Sequence, residues 1–329
     1  MNATAHARSF VRHRNDAARP RVNAIEIISP RQKGPEGHPL LSVIIPTSDG
    51  YRNGYLPALL NQLTQQTCQQ FETIVVAGDS RQGRAINIGA DIARGRFLLT
   101  LDDDTRLLSC DTIRRLLDAM QKDDTIGMAG GINRIPAGAP AFVKRAMVEL
   151  PRRSTPDVAA VTESDLSEHP LLMMRRDTFV RVGGENELMP RGLDPYLRRQ
   201  FRQAGCRVVV VPGADYAHLP PPTFSKLVRQ FFRNGRQSAF CSRWFSEWLV
   251  ETPDRHVSRF VEHRPLPYRI CRHALHMLAK ALKGHFIYIC AYAAYAAGFV
   301  WECFSADPPR PRRTLEESEK EPTPAAYRS

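Results

Sequence analysis

The stretch Arg96-Phe-Leu-Leu-Thr-Leu-Asp-Asp-Asp104 decides the fold. Its first part is an apolar run of strand length, and three consecutive carboxylates follow it. Strands with near-continuous apolar character belong to parallel sheets covered by helices on both faces. In such sheets ligands bind beyond the carboxyl ends of the strands. Asp102, Asp103 and Asp104 stand at that point, so chemistry is expected there. Adjacent carboxylates at a buried strand end are costly unless a cation sits among them. Oxygen ligands of this kind suit Mg²⁺ or Mn²⁺, which in turn hold phosphate oxygens. The residues alone leave a second reading open, a solvated loop in which Asp103 or Asp104 caps a helix near 111–120.

The flanking sequence extends the same pattern. Upstream, Leu41-Ser-Val-Ile-Ile-Pro46 and Phe71-Glu-Thr-Ile-Val-Val76 predict two further buried strands. Between them Leu56, Leu59, Leu60 and Leu63 recur at helical spacing, and a second helix is expected over about 83–93. Downstream, strands are expected at 171–174 and 207–211 and a helix near 195–204. A basic, aromatic helix is expected over 224–248. The expected class is α/β, a mostly parallel sheet with helices on both faces, filling residues 39–245. Residues 1–38, rich in Arg and Pro, read as a flexible basic arm. Residues 246–304 read as a helical, membrane-associated region, and 305–329 as a disordered tail.

Charge narrows the partners. The 329 residues carry 46 Lys and Arg against 34 Asp and Glu, a net charge of +12. That implies an acidic partner: nucleic acid, an anionic membrane surface, or a phosphorylated substrate. Residues 226–243 hold five basic residues and no acid, and 255–283 hold seven against the single acid Glu262. No aromatic-interleaved basic motif of a nucleic-acid module is present, so no nucleic-acid partner is expected. Residues 286–301 contain no charge but fall short of the ~20 apolar residues that a spanning helix needs. Leu275, Leu278, Ala279 and Leu282 share a helical face, with Arg269, Arg272, Lys280 and Lys283 nearby, an arrangement that suits an anionic leaflet. The alternative is a C-terminal helix packed on the protein's own core. Seven cysteines without a C-x-x-C pair fit a reducing compartment. With no apolar stretch near the N-terminus, the expected location is cytoplasmic, peripheral or C-terminally anchored at the inner or plasma membrane.

Motif order carries more than any one motif. Ser42-Val-Ile-Ile-Pro-Thr47, Phe71 to Val76, Gly83-Arg-Ala-Ile-Asn-Ile-Gly89, Ala93-Arg-Gly95 and Leu101-Asp-Asp-Asp104 follow one another. Arg175-Arg176, Gly183-Gly184-Glu185, Gly192-Leu-Asp194, Gly205, Pro212 and His218 continue the series. This resembles glycosyltransferase family 2, inverting enzymes with a GT-A fold, over about residues 40–240. The resemblance implies a nucleotide-diphosphate sugar donor and a hydroxyl acceptor, with a lipid-linked acceptor suiting the basic C-terminal region. Asp102 to Asp104 match the family's DXD motif. Asp104 is then the main metal ligand, Asp102 contacts the ribose or donor sugar, and Asp103 joins the donor site with Thr47. Asp194 stands where relatives place the general base, although it also suits a helix N-cap before Pro195. His218 matches a position that completes the metal site or touches the pyrophosphate. Arg84 and Asn87 lie where relatives contact the donor. Arg233 and Arg236 are candidates for a basic lid over the pyrophosphate, or for contact with anionic lipid.

The sequence departs from the family in places. Ala77-Gly-Asp-Ser80 replaces the usual acidic pair, so Asp79 alone remains to read the base, and uridine is only the default. Leu193 replaces the acid that commonly precedes the base. Phe240 stands at the Gln position of the processive Q-x-x-R-W signature while Arg243-Trp244 is present, so transfer of one or a few sugars is expected. Two alternatives stand beside the transferase. One is a catalytically inactive nucleotide-sugar-binding or scaffold protein. The other is a nucleotidyltransferase, which needs a Gly- and basic-rich run after the first strand that Thr47-Ser-Asp-Gly-Tyr51 lacks.

Overall fold

The computed structural model describes residues 24–29, 32, 37–79, 81–251, 253, 255–257 and 266–305. The chain opens with β1 (Ala24–Ile28), β2 (Leu41–Thr47), α1 (Tyr55–Thr64), β3 (Phe71–Ala77) and α2 (Gln82–Ile92). Then come β4 (Phe97–Thr100), β5 (Arg106–Leu107), α3 (Thr112–Lys122), β6 (Ile126–Asn133) and α4 (Ala141–Glu149). The middle holds β7 (Thr162–Glu163), β8 (Leu172–Arg175), α5 (Arg176–Arg181), α6 (Leu193–Gln203) and β9 (Arg207–Ala217). Three long helices close it: α7 (Phe224–Trp244), α8 (Leu266–Leu282) and α9 (Phe286–Phe304).

The strands form one sheet in the order β1-β3-β2-β4-β8-β6-β9-β5, with β7 beside β9. Alternate residues of each central strand serve different cores, because successive side chains point to opposite faces. Val43, Ile45, Leu99 and Leu101 join Leu59 and Leu63 of α1 and Leu116 and Met120 of α3 on one face. Ile44 and Leu98 join Ile86 of α2, Phe179 of α5 and Leu197 and Phe201 of α6 on the other. That double burial is why these strands read as unbroken apolar runs.

The α/β class with helices on both faces holds, and the sheet is mixed. β3-β2-β4 and β6-β9 run parallel, whereas β8 lies antiparallel between β4 and β6. The arm expected over 1–38 needs correction: Ala24–Ile28 pairs antiparallel with β3. Ala24-Ile-Glu-Ile-Ile28 is too short to show a period, and the open edge of β3 gives it hydrogen-bond partners. Residues 1–23 and the tail after Ser305 lie outside the described residues. The C-terminal helices are not separate from the sheet domain, since α9 packs with α7 and α4 through Leu227, Phe231, Ala146 and Ala291.

Candidate active site

β4 ends at Thr100, and the chain turns at once, with the Thr105 amide donating to the Asp102 carbonyl at 3.0 Å. β5 then pairs Arg106 with Ala217 at the end of β9. This brings the aspartates to His218, more than a hundred residues away in sequence. His218 Nε2 lies 3.3 Å from Asp104 Oδ1 and 3.7 Å from Asp102 Oδ2. Ligand atoms of Asp102, Asp104 and His218 all lie within 4.8 Å of one another. Two carboxylates and one imidazole suit Mg²⁺ or Mn²⁺.

The trio's charges are unbalanced. Burial pushes Asp102 up to about 6, and the Asp104 charge adds to the rise against the pull of His218. Burial alone would raise Asp104 too, but the His218 hydrogen bond and charge, with Arg52, hold it well below the usual carboxylate range. His218 is raised because Asp104 and Asp102 outweigh its burial. Gln82 at the start of α2 donates to Asp102 at 2.7 Å. Arg52 donates to Asp104 at 3.0 Å from a loop in which it and Asn53 adopt left-handed φ of 49° and 55°. Asp49 holds that loop by accepting from the Tyr51 and Arg52 amides at 2.9 and 2.7 Å. The trio, Arg52, Gln82 and Arg153 line a cleft of about 820 Å³.

A second cleft of about 570 Å³ shares Gln82 and is lined by Asp194. Gly192, with φ of 85°, precedes α6, so Asp194 is the second helical residue and not the cap. Its Oδ1 accepts from the His169 amide at 2.8 Å, and the His169 ring Nε2 stands 4.0 Å away. That ring is fully enclosed between Glu185 Oε1 at 2.9 Å and the Thr100 hydroxyl at 3.1 Å. Burial would lower His169, but Glu185 and Asp194 raise it to about 9, so it is an imidazolium at neutral pH. Burial likewise would raise Asp194, yet His169, Arg198 and Arg152 hold it below the ordinary value.

Several expected donor contacts take other partners. Asp102 stands with Asp104 and His218 in a trio that could hold a metal ion, and it accepts from Gln82. Asp103 lines the trio's cleft, bonded to the Thr47 hydroxyl and 3.4 Å from Arg52. Thr47 itself is buried and accepts from the Gly50 amide at 3.2 Å. Arg84 grips Asp79 with two bonds of 2.6 and 2.9 Å, while Asp79 and Thr47 also line the trio's cleft. Asn87 has no exposed surface. It pins α2 to the loop after α5, donating to the Glu185 carbonyl and accepting from the Glu185 amide. Arg233 and Arg236 line a separate cavity of about 500 Å³, where Arg236 pairs with Glu302 at 2.8 Å. Both are exposed, and neither lines the trio's cleft. Neither Asp103 nor Asp104 caps α3, which begins after Asp111. Gln82, Arg52, Arg153 and His169 carried no sequence signal, since each gains its place only from residues distant in the chain. Glu185 stood in a quoted motif without a role.

The sequence profile of Glycosyl transferase family 2 matches residues 78–179. An uncharacterized glycosyltransferase from Haemophilus influenzae is 25% identical over 182 residues, 48% of this chain and 60% of its own length. A PGL/p-HBAD biosynthesis glycosyltransferase from Mycobacterium bovis is 32% identical over 105 residues, 24% of this chain and 40% of its own. The matched region thus spans about half of the length of these relatives. In structure, a mannosyltransferase from Pyrobaculum calidifontis, solved with GDP-Man and Mn²⁺, superposes with a TM-score of 0.51. The match covers 93% of this chain and 96% of that one at 13% identity, a likeness of fold.

Proposed function

We propose that this GT-A-fold chain, matched by the glycosyl transferase family 2 profile over residues 78–179, carries out a metal-dependent, inverting sugar transfer from a nucleotide diphosphate to an acceptor hydroxyl. One observation carries the reading. Asp102, Asp104 and His218 gather ligand atoms at one cleft, and Asp194 faces the next, with Gln82 lining both.

Asp102, Asp104 and His218 would hold Mg²⁺ or Mn²⁺. When bound, the ion neutralises charge that develops on the leaving diphosphate. Arg153 lines the same cleft, and burial lowers its pKa, so a nearby phosphate restores favourable surroundings to it. Arg52 can exchange its carboxylate contacts for phosphate oxygens on the exposed loop. Asp194 accepts the proton of the acceptor hydroxyl as that oxygen attacks the anomeric carbon. A single displacement from the face opposite the diphosphate inverts the anomeric centre. His169 keeps Asp194 ionised and its amide fixes the carboxylate's direction. The acceptor cleft is walled partly by Arg272 of α8 and by Tyr295 and Phe299 of α9. That wall suits an acceptor carried on a lipid.

The test is a panel of nucleotide sugars with Mn²⁺ or Mg²⁺, measured for binding and for turnover. One donor is expected to bind only with metal, and Asp104→Ala is expected to abolish that binding. No metal-dependent binding of any nucleotide sugar would defeat the reading and favour a scaffold role.

A further inference from the structure

The hairpin of α8 and α9 ends in a helix long and apolar enough to cross a membrane, with mean hydropathy 1.3. Its contacts argue that it does not cross. Near its start, the Tyr288 amide donates to Glu149 of α4 at 3.1 Å, and Arg145 reaches the Gly284 carbonyl at 3.0 Å. Midway, α9 and α7 touch backbone to backbone. A Cβ on Gly235 would collide with the Tyr295 carbonyl, and one on Gly298 with the Phe232 carbonyl. Phe231 and Tyr292 pack with ring centroids 5.7 Å apart. Near its end, Glu302 accepts from Arg236 at 2.8 Å. α9 is therefore fastened along its length to α7, whose Lys226, Arg229, Arg233, Arg236 and Arg243 cannot follow it into hydrocarbon.

The outer side of the hairpin is a different surface. On α8, Tyr268, Leu275, Leu278 and Leu282 fall on one stripe and are each more than half exposed. Phe286, Val300, Trp301 and Phe304 of α9 are also more than half exposed. The sequence of α8 holds no acid, and exposed Arg272 and Lys283 flank the stripe. An apolar stripe with basic flanks matches the boundary between anionic headgroups and acyl chains.

We propose that the α8–α9 hairpin lies in the plane of an anionic membrane surface, with this stripe in the acyl boundary and α9 on one side of the bilayer. The proposal rests on the membrane-proximal reading above and adds the docking surface and its mode. Because the same helices wall the Asp194 cleft, a lipid-borne acceptor would meet Asp194 without leaving the interface.

The experiment uses the full chain and vesicles of phosphatidylcholine with or without phosphatidylglycerol, separated by sedimentation. Binding is expected on the anionic vesicles, about tenfold or more weaker on neutral ones, and released by high salt. Leu275→Ser/Leu278→Ser/Leu282→Ser is expected to abolish binding while leaving the thermal transition in place. In a second measurement Cys110 and Cys271 become serine and Lys283 becomes cysteine. An impermeant thiol reagent should then reach Lys283→Cys and native Cys303 from the same side of proteoliposomes. Labelling from opposite sides, equal or absent binding to both vesicles, or undiminished binding of the triple variant overturns the proposal. So does a wild-type dimer that the triple variant converts to monomer, which would make the stripe a contact between copies. Vesicle binding needs neither donor nor turnover, so its failure leaves the transferase reading standing, and an inactive protein that docks leaves this one standing.

Discussion

Two groups of carboxylates sit at the same edge of the sheet and are treated in opposite ways. In the first group His218 and Arg52 hold Asp104 low, but the enclosed Asp102 beside it is left up at about 6. Asp194 has a buried imidazolium in His169 and two arginines, and is held low. Where the protein completes its own electrostatics, the side chains are fixed in place for use. Where it leaves them incomplete, a cation from outside can finish the site.

The largest effect should come from the incomplete group. Asp104→Ala is expected to remove metal-dependent donor binding and to lower turnover by roughly a thousandfold or more, read by calorimetry and a transfer assay. Retained binding would erase the contrast between the two groups. Asp194→Asn should lower turnover about 10²–10⁴-fold with donor affinity nearly unchanged. A matching loss of donor affinity would place Asp194 in the donor site instead.

The balanced group can be unbalanced on purpose. His169→Gln leaves Glu185 charged, enclosed and unpaired, and should cost about 3–5 kcal/mol in denaturant unfolding. The double variant His169→Gln/Glu185→Gln should recover most of that. A single variant as stable as wild type would mean the pair is not charged. The pH dependence has a definite sign. His169 is raised to about 9 in the fold, above its unfolded value of about 6.5. Its contribution is therefore full below pH about 6.5 and fades as pH rises through about 9.

Metal binding should show the reverse slope. Asp102 and His218 must both lose a proton to act as ligands, so Mn²⁺ affinity should fall as pH drops through about 6, by roughly tenfold or more between pH 7 and pH 5. A flat profile would remove Asp102 from the ligand set. The smallest effect is expected at Arg236→Ala, less than about twofold on donor affinity, because Arg236 is paired with Glu302 in another cavity. A large loss there would restore the lid.

Much of the scaffold was legible because double-sided burial writes itself into sequence. Val43, Ile44 and Ile45 must all be apolar, whichever face each serves. The five residues of β1 and the two of β5 were not legible, because pairing with β3 and β9 makes them strands, not their own pattern. In the site, the triple aspartate and His218 stood out by residue type and order. Arg84 and Asn87 also lay where the resemblance placed donor contacts, yet their partners turned out to be Asp79 and the Glu185 loop. A side chain with several possible partners takes the one its neighbours bring close, and one dimension does not contain that information. His169 makes the same point in reverse, since nothing near it in the chain announces Asp194, Glu185 and Thr100.

The sequence by itself determined the α/β class, the resemblance to glycosyltransferase family 2, the strand end where the carboxylates gather and the apolar, basic character of the last helices. These follow from local composition, which burial and solvation act on residue by residue. Only the tertiary structure decided which carboxylates gather at His218 and which at His169. It also decided which arginines are already paired and that α9 lies against α7. Those depend on distances of a few ångströms between residues far apart in the chain, where electrostatic and packing energies are steepest.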